Sequence, residues 1–213
     1  MPERSVWIIL RDYEQEVCFI LVLWAMALLS LKAASVRRER AMLRADLVSL
    51  TAGESILPED AREVARAIEA LPEPERECLY PRVLTAALHR FRSTGNVQDV
   101  SDAVSRVCEA ESDRLDSELS MIRYIAWAIP SIGFIGTVRG IGEALGFAHK
   151  AVEGDISGVT ASLGLAFNST FVALVLSIVL MFLLYQLQLV QERLVLDAHT
   201  ACDRRLIQNL RSG

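Results

Sequence analysis

Apolar residues run almost unbroken from Val17 to Leu31. They return over residues 121–148 and again over residues 157–187, with a strongly charged region between the first two runs. Runs of this kind predict membrane-spanning helices, which need about 20 residues to cross a hydrocarbon layer. The first run is short at its core. Lys32 can carry its charge to the interface along its apolar stem, so that Ala33 to Val36 complete the crossing. Between the spans the pattern changes to helical periodicity: Ala61, Val64, Ile68 and Leu71 recur after a start signal at Pro58, Glu59 and Asp60, and Pro72 and Pro74 stop the run. Leu84, Leu88 and Phe91 mark another helix closed by Gly95. A third stripe from Val97 through Val100, Val104, Val107, Leu115 and Leu119 enters the second span without a breaker, with a kink expected at Pro130.

Charge sets the expected orientation. Arg37, Arg38, Arg40 and Arg44 follow the first span at once, and Arg193, Arg204, Arg205 and Arg211 follow the third, which puts both flanks in the cytoplasm. A cleaved signal peptide ending near Ala33-Ala34-Ser35 is the rival reading. It is disfavoured because Asp12, Glu14 and Glu16 make the preceding stretch acidic. The expected fold class is an all-α membrane protein with three transmembrane helices and long helical cytoplasmic extensions, N-terminus outside and C-terminus cytoplasmic. The expected segments are an outer or interfacial N-terminus at 1–16, touching the membrane through Val6 to Leu10, a first span at 17–36 and a cytoplasmic helical domain at 37–120. They continue with a second span at 121–148, an outer loop at 149–156, a third span at 157–187 and a cytoplasmic C-terminal helix at 188–213.

Composition agrees: 52% of the 213 residues are hydrophobic and 23% charged, and the net charge of −5 gives no reason to expect nucleic acid. Cys18, Cys78, Cys108 and Cys202 show no paired spacing and read as packing residues. His89, His149 and His199 lack metal-ligand spacing, so no metal or cofactor is expected. No phosphate-binding loop, HExxH or nucleophile elbow occurs in the sequence, so the expectation is not an enzyme.

Chemistry concentrates in the second and third spans. Thr137 and Thr170 lie sixteen residues either side of Glu153-Gly154, so two antiparallel helices place them at one depth. Polar groups at membrane depth usually face a bundle interior or a water-filled path. The alternative is that each hydroxyl bonds back to its own helix. Ser162, Ala166, Thr170, Ala173 and Ser177 form a small and hydroxylated stripe. Ser162, Asn168, Ser169 and Ser177 are therefore secondary polar candidates. Gly133, Gly136 and Gly140 have the spacing that lets membrane helices approach closely. Arg139 and Glu143 form an i,i+4 pair that reads as a neutralised pair stabilising an oligomer contact or snorkelling outward, in preference to an outer gate.

The stretch from Pro130 to Gly142, PSIGFIGTVRGIG, followed by ASLGLAFNST from Ala161 to Thr170, resembles the MotA/TolQ/ExbB proton-channel family. The three-span layout is similar to its TolQ/ExbB branch. The resemblance implies a stator subunit of an ion-driven rotary motor in the bacterial inner membrane. Five copies would surround the helices of a dimeric single-span partner of the ExbD/TolR/MotB type, whose membrane aspartate carries the ion. It also implies that Thr137 and Thr170 line the ion route and that Pro130 shapes the helix. The translocated ion would be H+, with Na+ as the alternative. Where some ExbB-type relatives carry an acid five residues before the second threonine, this chain has Leu165, so that acid's role does not transfer.

The residues make their own demand for a partner. Val17 to Leu31 and Ile156 to Leu187 contain no Asp, Glu, Lys, Arg or His, and Glu143 lies near the outer end of its span. A hydroxyl can relay a proton but cannot store one, so a titratable group must come from another polypeptide. The competing reading is a non-conducting oligomeric scaffold that docks partners through its cytoplasmic domain. A secondary transporter would need internal repeats, which are not visible.

Overall fold

The computed structural model describes residues 13–45, 47 and 61–210. Its elements are α1 (Tyr13–Arg44), α2 (Ala61–Glu69), α3 (Glu73–Arg76), α4 (Leu79–Thr94), α5 (Val97–Gly146), α6 (Ala148–Val152) and α7 (Ser157–Arg205), followed by a 3-10 turn at Ile207–Asn209. No β-strand occurs among the described residues. Helices α1, α5 and α7 are long and apolar enough to cross a membrane, in agreement with the three apolar runs of the sequence. The expected interfacial segment Val6 to Leu10 and the start signal Pro58-Glu59-Asp60 lie outside the described residues. Two compact units are distinguished: Met1–Leu31 with Leu119–Gln186, and Lys32–Glu118 with Leu187–Gly213.

The second unit has a buried apolar core of its own. Tyr80, Leu84, Leu88 and Phe91 of α4 are fully buried against Ile68 of α2, Val100 and Val104 of α5, and Ala198 and Cys202 of α7. The apolar stripes predicted at helical spacing are therefore core faces. Gly95 ends α4 in the left-handed region at φ 61°, and its N–H donates to the Phe91 carbonyl at 2.8 Å, a closure that favours glycine. At the other end, the N-cap residue Cys78 supplies no side-chain cap. Glu39 of α1 supplies it instead, accepting the Leu79 N–H at 2.8 Å. A carboxylate is favoured at a helix N-terminus, yet burial dominates and pushes the Glu39 carboxyl above its ordinary range.

Charge in this unit is arranged as a chain of alternating sign. Lys32 contacts Glu118 at 2.6 Å, Arg114 contacts Glu118 at 2.9 Å and Glu111 at 2.5 Å, and Arg82 contacts Glu111 at 2.9 Å. Glu111 is only 3% exposed. Burial alone would raise its pKa, but the hydrogen bonds and positive charges of Arg114 and Arg82 outweigh burial and hold the carboxyl below the usual range. The four cysteines are free thiols and all are buried, consistent with packing roles.

In the first unit α5 is a single helix through Pro130. Trp127, Phe134, Phe171 and Ile178 stay exposed on α5 and α7. Such large apolar faces suit lipid or a neighbouring subunit and not water. The connection between these helices, read from sequence as a loop at 149–156, contains the short helix α6, and the turn behind it uses Gly154 at φ 98°. Ser157 begins α7 with Asp155 accepting its backbone N–H at 3.0 Å and its hydroxyl. This is an Asx turn leading into the helix, with Asp155 one position before the N-cap.

Candidate functional site

Three glycines bring α5 and α7 together. A Cβ on Gly133 would lie 2.5 Å from Ala173 Cβ and 3.2 Å from Thr170 Cα. One on Gly136 would lie 2.6 Å from Ser169 Oγ, and one on Gly140 would lie 2.6 Å from Ala166 Cβ. No side chain fits at these positions, so the two backbones approach as closely as small-residue membrane packing allows. On α7 the matching positions are the small buried residues Ser162, Ala166, Ser169 and Ala173.

Close approach brings the two threonines into contact. Thr137 and Thr170 hydroxyls are hydrogen-bonded to one another, although the residues are 33 apart in sequence. Thr170 Oγ1 also donates across the interface to the Gly133 carbonyl at 2.8 Å. Thr137 Oγ1 reaches its own helix at Gly133 O, 3.2 Å, and the opposite helix at Ala166 O, 3.3 Å. Back-bonding to the parent helix thus occurs at Thr137 only. The cluster of two hydroxyls and two carbonyls joins the helices at one level, and both threonines remain partly accessible.

The secondary polar residues take different positions. Ser169 donates to Ala166 O at 2.9 Å within its own helix and packs on Gly136. Ser162 is buried, and its carbonyl lies 3.1 Å from the site of a Cβ on Gly140. Asn168 is half-buried. Ser177 is buried and donates to Ala126 O at 2.9 Å, across to α5. Beside these helices lies a groove of about 1070 Å³, lined by Tyr124, Trp127, Phe134, Thr170, Leu174 and Ser177 among others. It brings Thr170 and Ser177 to one surface; Thr137 is not on its wall.

Toward the α6 end of α5, Arg139 pairs with Glu143 at 3.2 Å, as the i,i+4 spacing predicts. The stronger partner is one that sequence spacing did not reveal. Glu14 of α1 accepts from Arg139 Nε at 2.8 Å and from Nη2 at 2.9 Å, the two-pronged geometry that guanidinium and carboxylate favour. Glu14 Cγ also lies 3.4 Å from the site of a Cβ on Gly136, so α1, α5 and α7 meet within one turn of Thr137. Neighbouring Gln15 is 1% exposed and its amide makes no hydrogen bond. On the opposite side of the threonines, Cys18 of α1 directs its thiol at the Ile129 carbonyl, 3.7 Å away.

The sequence model of the MotA/TolQ/ExbB proton channel family matches residues 76–199. That stretch includes α5 and the whole hydroxyl cluster. No individual curated protein matches the chain.

Proposed function

The chain belongs to the MotA/TolQ/ExbB proton channel family, and from that premise we propose that it is the channel-forming stator subunit of a motor driven by ion-motive force. The family is a channel family and not an enzyme family, and the three long apolar helices agree with a multi-pass membrane protein. In the proposed reading the chain sits in the bacterial inner membrane with its N-terminus outside, as in the TolQ/ExbB branch. Five copies assemble around a dimeric single-span partner with a membrane aspartate and an external domain. Protons pass from outside to that aspartate and on to the cytoplasm, and Thr137 and Thr170 offer hydroxyl oxygens along the way.

One observation carries this reading. Two hydroxyls from different candidate spans meet at one level; Ile156 to Leu187 holds no Asp, Glu, Lys, Arg or His, and the charges nearest the pair, Arg139 of α5 and Glu14 of α1, are bound to each other. The hydroxyl pair can pass a proton along a hydrogen-bonded chain or ligate a cation, but a hydroxyl cannot hold the charge between steps. A conductor built this way is incomplete without an acid from another chain.

The test has two parts. The native complex, isolated from the membrane, should contain a single-span protein with an aspartate in its span. In vesicles reconstituted with that protein, replacing Thr137→Val and Thr170→Val together should reduce proton flux to the level of protein-free vesicles, with the size of the oligomer unchanged. Full flux in the double variant would remove the threonines from the ion path. Absence of any companion would favour a non-conducting scaffold.

A further inference from the structure

Pro130 lies seven residues before Thr137, and Ser177 lies seven residues after Thr170. Because α5 and α7 run antiparallel, these equal offsets of two turns put Ser177 at the level of Pro130 whenever Thr170 stands opposite Thr137. Proline has no N–H, so within a helix it leaves the carbonyl four residues earlier without its donor. In α5 that carbonyl belongs to Ala126. The Ser177 hydroxyl donates to it at 2.9 Å, and Ser177 is itself buried.

We infer that Ser177 is a positioning residue that replaces the backbone donor missing at Pro130, and by doing so fixes the register in which Thr170 meets Thr137. A backbone carbonyl without a partner is costly in an apolar medium, and a hydroxyl from a neighbouring helix is one of the few groups able to satisfy it at membrane depth. The bond is specific in position: sliding α7 by one residue takes the Ser177 hydroxyl away from Ala126 O and the Thr170 hydroxyl away from Gly133 O at the same time. Two polar clasps two turns apart thus select one register out of several that the small-residue stripe alone would permit. Ser177 touches no reacting group in this arrangement and acts through the threonines, so the inference rests on their role in the proposed function.

A cycle of four proteins tests it: wild type, Ser177→Ala, Pro130→Ala and the double variant. Ser177→Ala should lower the midpoint of thermal unfolding of the purified protein by several degrees and should reduce partner-dependent proton flux severalfold. Ser177→Thr, which keeps the hydroxyl, should restore both. In the Pro130→Ala background the Ala126 carbonyl regains its own helical donor, so the further change Ser177→Ala should shift neither readout. An effect of Ser177→Ala that is the same size in both backgrounds would overturn the inference, as would failure of threonine to rescue. The midpoint decides the matter even if Pro130→Ala abolishes flux. Additive Ser177 and Pro130 effects beside lost flux in the Thr137→Val, Thr170→Val protein would sink this inference and spare the proposed function. Coupled effects beside full flux in that protein would do the reverse.

Discussion

Replacing Gly133 by alanine adds one methyl group at the tightest point between α5 and α7. The new Cβ would stand 2.5 Å from Ala173 Cβ, whereas apolar carbon atoms rest about 3.8 Å apart. The helices must therefore separate locally by about 1.3 Å. The Thr170 hydroxyl now lies 2.8 Å from Gly133 O; the same displacement takes it to about 4.1 Å, outside hydrogen-bond range. Overpacking of this kind costs about 1–3 kcal/mol, and loss of an interhelical hydrogen bond in a membrane adds about 0.6 kcal/mol. Better helix propensity of alanine returns about 0.8–1.0 kcal/mol at most. The net expectation is a loss of about 1–3 kcal/mol, read from reversible detergent denaturation of the purified protein followed by circular dichroism. Gly142→Ala is the internal control, because a Cβ there meets nothing within 4 Å; that variant should be neutral or slightly stabilised. Combining Gly133→Ala with Ala173→Gly removes the clashing methyl and should recover part of the loss. The reasoning fails if Gly133→Ala and Gly142→Ala are indistinguishable.

Two further outcomes follow from the second unit. The Glu111 carboxyl is held below its ordinary range in the folded protein by Arg114 and Arg82, so its stabilisation is fully present above the unfolded carboxyl pKa of about 4.3 and is lost as pH falls through the depressed folded value. Glu111→Gln should flatten the acid limb of a stability-against-pH curve below about pH 4.3; an unchanged acid limb would contradict the role given to these arginines. Burial pushes the Cys108 thiol up to about 11 and the Cys202 thiol up to about 12, so neither should react with N-ethylmaleimide at neutral pH in the folded protein, and both should react after denaturation. Stoichiometric labelling of either in the native protein, measured by mass spectrometry, would show that the helices around them open.

The parts of the structure that were legible in the sequence are those set by spacing within one helix or by symmetry about one turn. The level at which Thr137 and Thr170 meet follows from their equal distances to Glu153-Gly154. The Arg139 and Glu143 pair follows from the i,i+4 interval, and the end of α4 follows from Gly95. Contacts between distant segments were not legible. Glu14 finds Arg139 across 125 residues, and periodicity reports which face of α1 is apolar without reporting what stands opposite its end. The orphaned carbonyl at Ala126 could be deduced from Pro130 alone, but the choice of Ser177 as its donor needs the register of α7. Likewise Glu39, which lies among the arginines that follow the first span, caps a helix that begins 40 residues later. The expected outer loop hid α6 because five residues are too few to show a period.

The hydroxyl cluster has a further property that its heavy atoms conceal. Each threonine owns one proton, while the available acceptors are the other hydroxyl and the carbonyls of Gly133 and Ala166. Thr137 can point its proton at Thr170, which then turns its own toward Gly133; or Thr170 can point at Thr137, which turns toward Ala166. Passing from one pattern to the other takes only rotation about two C–O bonds, with no backbone motion and no side chain changing rotamer. The pair is thus a small electric dipole with two orientations, reversible in place, inside an otherwise rigid contact.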